Sequence, residues 1–564
     1  MAAYRTVADW AMAGSVDSAP VAQAVKLASV VIRLDGRIVG KGWAEGETDV
    51  ISAAAKRAIA GAEGAIPHPR DLISEAAGRA ESRSRCQVSV ELADAYVPFS
   101  PKTFDDVDKE LSPGLDGVAV RIGERFEAMF PEAMLVARMT PGDALASAIA
   151  RAADNPAVGL RVDPKGQPAD VARERGAVFY RFRPVQIAEV GGVARFLYRG
   201  GEIFRESEVT TPMLREYAGR LAAYLLAQRL PTDNPAAPQF RGPVLPSQGR
   251  YETETAGDAE QLLVAWSLLK YELLDLTDVH AGETTALELL AQLARRDATT
   301  AEPRFLSSIG AAAMWAVVAS EAFYATEQGD GGKARWRPEW SACRERIVSL
   351  CTNLEELPPG QRGLVAYALA RIAVSENSDA LREGARIATL KALELTPPPA
   401  MPAEMPWLGW AALESFPPTE ALGPATALRE FRDLCYKHQL SPTSPGPERR
   451  DMAGGIMLAG NTSFPTWASA RPVAFVCAML GDPRVTLPDE RAREIARLIP
   501  ALRYLRQLSA DPSVARLHAE PTHSTWGVRA ALWDFRQPPE ATAMTLVALC
   551  EVIRSLDQGS AAAK

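Results

Sequence analysis

The chain has 564 residues, with 62 Lys and Arg against 70 Asp and Glu for a formal net charge of −8, and 47% of its residues are hydrophobic. That apolar share can build large cores and excludes wholesale disorder, while the acidic balance excludes a surface designed to follow nucleic-acid phosphates. At roughly 150 residues per domain, two or three folded units are expected.

The opening Met1-Ala-Ala-Tyr-Arg-Thr-Val-Ala-Asp-Trp10 lacks the basic start, continuous apolar segment and small-residue cleavage site of a signal peptide. The longest apolar stretch, Ile309 to Ala319, falls well short of the roughly 18 to 20 residues that span a bilayer. A cytoplasmic chain is expected. Ala28 to Leu34 is β-rich, and Asp35-Gly36 is a favoured two-residue turn into Arg37 to Gly40, so a hairpin is predicted. Asp49 to Ala60 repeats Val50, Ala54 and Ala58 at helical spacing behind a capping Thr48 or Asp49. Cys86 to Leu92 alternates like a half-buried strand, Gly117 to Ile122 makes another before Gly123, and Asp143 to Ala153 is a short helix. Val178 to Arg183 and Ala194 to Tyr198 read as a hairpin around Gly191-Gly192. With no strict βαβ rhythm, residues 1–205 are expected to form an α+β domain.

The order of these pieces resembles the AMMECR-like domain family. The resemblance is carried by Leu34-Asp-Gly-Arg-Ile-Val-Gly40, the helix after it, the Val88 to Leu92 strand, and Leu111-Ser-Pro-Gly-Leu-Asp-Gly-Val-Ala-Val-Arg-Ile-Gly123 with Met129-Phe-Pro131. It spans residues 20 to 155 and implies that family's α+β fold. Where the family has Leu-Arg-Gly-Cys-Ile-Gly, this chain has Ile38-Val-Gly-Lys-Gly-Trp43, so no role of the family's cysteine transfers.

Thr210-Thr211-Pro212 is a helix start for Met213 to Leu230, and Pro231 to Gln248 is a loop; residues 206–250 are thus a connecting helix and linker. From 251 to 564 only helical patterns follow: Leu262 to Leu273, Ala286 to Leu293, Ile309 to Phe323, Cys343 to Leu350, Leu364 to Val374, Leu381 to Leu395, Trp407 to Phe416, Leu422 to Cys435, Trp467 to Leu480, Ile495 to Leu508 and Ala541 to Leu556. Strongly apolar helices alternate with amphipathic ones, as an inner and an outer ring require, so an all-α (α/α)6 toroid is expected. No fixed-period consensus supports a solenoid. The closing stretch Trp526 to Gln537 resembles the last helical pair of toroids in terpene cyclases and glycan-processing enzymes, without the Asp-x-Asp-Asp motif of squalene-type cyclases.

Candidate chemistry clusters in three places. His518, His523, Arg529, Asp534 and Arg536, interleaved with Trp526 and Trp533, could bind an anionic group or act as acid and base, or could simply fasten the last helical pair. Trp407, Trp410 and Glu414 share a helical face, where aromatic rings can stack on a sugar beside a carboxylate or else pack in a core. Tyr251-Glu252-Thr253-Glu254 sets two carboxylates on one loop. Asp451 to Thr462, with three glycines, reads as a flexible loop over a cavity mouth. The cysteines, Cys86, Cys343, Cys351, Cys435, Cys477 and Cys550, lack metal or disulfide spacing, and His68 and His280 are isolated, so neither metal nor cofactor is expected.

Two functions fit. In one, a helical cavity serves a binding or scaffold protein, or a degenerate enzyme; in the other, a carbohydrate- or isoprenoid-processing enzyme uses Glu414, His523 or Asp534 as acid and base, with Arg529, Arg536, Trp526, Trp407, Trp410 and Tyr251 holding the ligand. A small molecule or glycan is the class of ligand that fits; no partner is specified. Convergence of the carboxylates in one cavity would favour chemistry.

Overall fold

The computed structural model describes Tyr4 and residues 25–46, 49–65, 85–154, 167–230, 239–275, 281–295, 303–325, 337–441, 447–457 and 464–562. The opening decapeptide apart from Tyr4, Thr48, His68, His280, residues 231–238 of the proline-rich loop and residues 458–462 of the glycine-bearing segment lie outside the described residues.

The first part is β-rich. Its strands are β1 (Leu27–Leu34), β2 (Arg37–Glu45), β3 (Cys86–Ala93), β4 (Val97–Phe99), β5 (Gly117–Ile122), β6 (Arg125–Met129), β7 (Val178–Phe182), β8 (Val185–Val190) and β9 (Val193–Leu197). Interspersed are α1 (Val50–Ala65), α2 (Phe104–Glu110), α3 (Pro131–Ala137), α4 (Pro141–Ala152) and α5 (Pro168–Arg175). Two sheets result, ordered β2-β1-β3-β8-β9 and β4-β7-β5-β6, with every pairing antiparallel. The β1/β2 hairpin turns on Asp35 and Gly36, both at positive φ as that turn demands. The glycine is fixed twice over, since a Cβ on Gly36 would stand 2.0 Å from the His518 carbonyl oxygen of the helical half.

The predicted hairpin of Val178 to Arg183 with Ala194 to Tyr198 is corrected. β7 belongs to the second sheet, beside β5, and the Gly191-Gly192 turn instead joins β9 to β8, which the sequence reading passed over. Pro184 ends β7 because it has no N–H to give a ladder, and the chain crosses there to the first sheet.

The two faces of the first sheet differ. Ala28, Val30 and Ile32 point to α1 and are fully buried against Ala54, Ala55 and Ala58; Gly40 admits the helix, since a Cβ there would lie 2.1 Å from the Ala58 carbonyl oxygen. The other face buries Arg33, Ser89, Glu91 and Gln186. They meet Glu132 in the first turn of α3. Its Oε1 accepts from Arg33 Nη2 at 3.0 Å and Ser89 Oγ at 2.8 Å, and its Oε2 from the Arg516 guanidinium at 3.3 Å. The Glu132 N–H donates to Glu91 Oε1 at 3.0 Å.

The second part is helical: α6 (Thr211–Ala227), α7 (Asp258–Glu272), α8 (Ala281–Leu293), α9 (Ile309–Ala325), α10 (Arg337–Thr352), α11 (Arg362–Glu376), α12 (Asp379–Glu394), α13 (Trp407–Ser415), α14 (Ala425–Lys437), α15 (Ala470–Met479), α16 (Arg491–Leu508) and α17 (Pro539–Ala562). Each helical pattern of the sequence is present. α7 packs on α9, α9 on α11, α11 on α13, α13 on α15, α15 on α17, and α17 on α7 again. Outside them, α8 leans on α7 and α9, α10 on α9 and α11, α12 on α11 and α13, and α16 on α15. α6, read as a connector, packs on α7 and α17.

The two parts share a buried boundary. Arg199 pairs with Asp451, both side chains 1% exposed, and Leu135 packs with Val514, Leu517 and Phe535. The Asp451 end of the supposed cavity loop is therefore a fixed anchor: Asp451 is buried and its carbonyl accepts from Arg503 Nη1 at 2.7 Å.

Burial and the Glu132 charge push the Glu91 carboxyl up to about 8. The folded chain thus holds that proton more tightly than the unfolded one, and stability falls as pH rises from the ordinary carboxylate range to about 8. Glu91→Gln should flatten this fall and leave the variant more stable than the parent at about pH 9, as urea unfolding at about pH 5 and about pH 9 will measure.

Candidate functional site

The inner helices are apolar nearly all round, yet each of several carries a charge toward its C-terminal end: Lys270 on α7, Glu321 on α9, Arg371 on α11, Glu414 on α13, and Glu551 with Arg554 on α17. A charge inside such a ring has to be paired, because leaving water unpartnered costs several kcal/mol. The pairs form. Arg371 Nη2 stands 2.9 Å from Glu321 Oε2 and its Nη1 3.1 Å from Glu414 Oε1. Lys270 Nζ donates to Glu551 Oε1 at 2.9 Å, and Arg554 Nη1 lies 3.4 Å from Glu551 Oε2. Burial works to raise the Glu321 carboxyl, but Arg371, Lys270 and Arg554 together hold it below its ordinary value. Glu551 is held down in the same way by Lys270 and Arg554 against its burial. The phenol of Tyr367 is driven well up by burial and by the Glu414 charge.

Aromatic rings line the cluster's inner side. Trp407 and Trp410 lie 5.3 Å apart between centroids, Trp266 is 5.4 Å from Trp410, and Tyr367 is 5.7 Å from it. The Trp410 indole N–H is buried and meets no acceptor among the described residues. Lys270, Tyr367, Trp410, Glu414, Glu551 and Arg554 surround a cavity of about 300 Å³ at this end of the helices.

Of the sequence candidates, Trp410 and Glu414 line this cavity, and Trp407 stands behind them in the core at 5% exposure. The others lie elsewhere. Asp534 lines a separate cavity of about 350 Å³ between the two parts, with Arg138 Nε 3.5 Å away and Trp533 and Phe464 stacked edge to face beside it. Arg536 is 3.7 Å from both Glu252 and Asp534. Arg529 is buried and spends its guanidinium on the Gln507, Leu508 and Leu532 carbonyl oxygens, which leaves it a clamp on three chain segments. His523 is exposed and bonded to Glu520 at 3.1 Å. His518 is buried, bonded to Ser524, and kept neutral by burial that brings it down to about 3. Tyr251 donates to Gln228 at 3.1 Å. Trp526 sits at φ 78 with the Arg220 guanidinium 4.1 Å from its ring.

Sequence reasoning missed Lys270, Glu321, Arg371, Glu551 and Arg554. Their signal was present as isolated charges in apolar runs, such as Lys270 after Trp266-Ser-Leu-Leu and Glu551 after Leu549-Cys550. All six cysteines are free, and burial pushes the thiols of Cys351 and Cys550 up to about 12, far from a reactive thiolate. Among the described residues, no group of three or more His, Cys, Asp or Glu is placed to hold a metal, and no helix is long and apolar enough to cross a membrane.

No family model matches the sequence, and no curated protein matches it. Solved structures do. A D-mannose isomerase is similar over 61% of this chain and 98% of its own, at 10% identity and a TM-score of 0.43. A family 76 glycoside hydrolase from a bovine Bacteroides thetaiotaomicron strain is similar over 84% and 96%, at 8% identity and a TM-score of 0.30. An uncharacterised protein from Pyrococcus horikoshii is similar over 35% of this chain and 93% of its own, at 13% identity and a TM-score of 0.25.

Replacing Arg371 by Leu strands Glu321 and Glu414 without their shared cation. This should cost about 3 to 5 kcal/mol near neutral pH. Because the folded-state value of Glu321 is depressed, its contribution is present above the ordinary carboxylate value and lost as pH falls; the gap between Arg371→Leu and the parent should therefore narrow toward about pH 4 in urea unfolding.

Proposed function

We propose that the helical part is an (α/α)6 toroid that binds a small, uncharged polyhydroxylated ligand, of the carbohydrate type, in the cavity between Trp410 and Arg554. The carrying observation is the balance of that cluster. Three cations and three carboxylates meet around one aromatic wall, so the site offers many charged hydrogen-bond groups and no net charge. Such a site suits hydroxyls, which accept from Arg and Lys and donate to carboxylates, and an aromatic face suits the C–H side of a sugar ring. An isoprenoid diphosphate would need a cationic excess that the cavity lacks. Binding is favoured over acid catalysis because glycoside cleavage needs a carboxyl that keeps its proton near neutral pH, whereas Glu321 and Glu551 are held ionised. The same reading takes residues 1–205 as an AMMECR-like domain, on the Asp35 to Gly40 turn and the Leu111 to Gly123 segment, with the division at 206–250 and a cytoplasmic location.

Calorimetric titration of the full chain with neutral hexoses and disaccharides, and with a hexose phosphate for contrast, tests this. One neutral sugar should bind saturably and the phosphate more weakly. Glu414→Gln and Arg554→Ala should each weaken the sugar by about 1.5 to 3 kcal/mol with the fold retained. Absence of sugar binding, or affinity indifferent to both changes, overturns the proposal. Conversion of the bound sugar that disappears in Glu414→Gln would replace it with the enzymatic reading.

A further inference from the structure

A larger cavity, about 590 Å³, lies in the β-rich part, far in composition from the helical one. It opens between the β1/β2 surface turned away from α1 and the wall made by β6, α3 and α4. Its walls include Val31, Met129, Phe130 and Val136, and Ile38 at its edge is 46% exposed, an apolar side chain left in water. The volume falls within the roughly 300 to 1,000 Å³ typical of small-molecule sites.

The charges around it do not cancel. Arg33 is matched by Glu132, which also holds Arg516, but Lys41, Arg57 and Arg151 add to the lining as well. The Lys41 ammonium has no ion-pair partner among the described residues. Arg57 donates to the Trp43 carbonyl oxygen, which removes no charge. Arg151 has only Glu127 at 3.9 Å and otherwise touches the Met129 sulfur at 3.7 Å. In a chain of net charge −8, this is a local cationic field focused by apolar walls.

We propose that this cavity is a second, independent binding site for an amphipathic anion, a hydrocarbon chain bearing a carboxylate or phosphate head. The chain lies along Val31, Phe130 and Val136, and the head is held at the rim by Lys41, Arg57 and Arg151.

Calorimetric titration of the full chain with decanoate, decyl phosphate and decanol, each below its micelle concentration, decides it. At least one anion should bind at one equivalent, about tenfold or more tightly than decanol, with affinity falling as salt rises. Preference for decanoate or for decyl phosphate identifies the head group. Lys41→Glu, at an exposed position, should weaken the anion about tenfold or more, and Ala133→Trp, on the α3 wall, should block it, both with unchanged circular dichroism. Arg554→Ala should leave it untouched, which separates this site from the sugar cavity. Failure of both anions to bind, equal affinity for decanol, or binding indifferent to Lys41→Glu and Ala133→Trp overturns the proposal.

Discussion

One carboxylate, Glu132, organises the β-rich part and its junction with the helices. Placed in the first turn of α3, it joins Arg33 of β1, Ser89 of β3 and Arg516 of the helical part. Burial alone would raise its carboxyl, but the Arg516 and Arg33 charges hold it below the ordinary value. A negative charge is thus stable inside the boundary, and its stability obliges both arginines to stay where they are. The sheet face opposite α1 can be polar and buried only because these groups satisfy one another.

Pairing of charge also distinguishes the two cavities. Between the inner helices, every carboxylate named in the cluster faces a cation, and the low dielectric turns those pairs into a fixed set of donors and acceptors. Against the first sheet, the Glu132 carboxylate is taken up by Arg33 and Arg516, so the rim cations keep their field. The same residue types give one site neutral and one positive, and the number of carboxylates within reach makes the difference.

Much of the architecture was legible in the sequence because it rests on periodicity. The Asp35-Gly36 turn, the α1 repeat of small residues and each helical segment from Leu262 onward are local patterns with a single physical solution. The β8/β9 hairpin was missed because Val185 to Val190 follows β7 after only two residues, and nothing local says that the chain changes sheets there. Site prediction fared differently. Trp410 and Glu414 share a helix face and were visible together, whereas Lys270, Arg371 and Glu551 stand on separate helices and meet only through ring packing. Arg529 misled because a guanidinium near an Asp suggests anion binding, yet each of its three guanidinium nitrogens is spent on a backbone carbonyl oxygen.

The separation of Glu132 from Arg516, 384 residues along the chain, has a consequence for biosynthesis. During translation Arg33 and Glu132, 99 residues apart, are both made long before Arg516. Until Arg516 has been made, the Glu132 carboxylate has only Arg33 of its two guanidinium partners, so the native boundary between the two parts closes only after most of the helical part has followed the β-rich part.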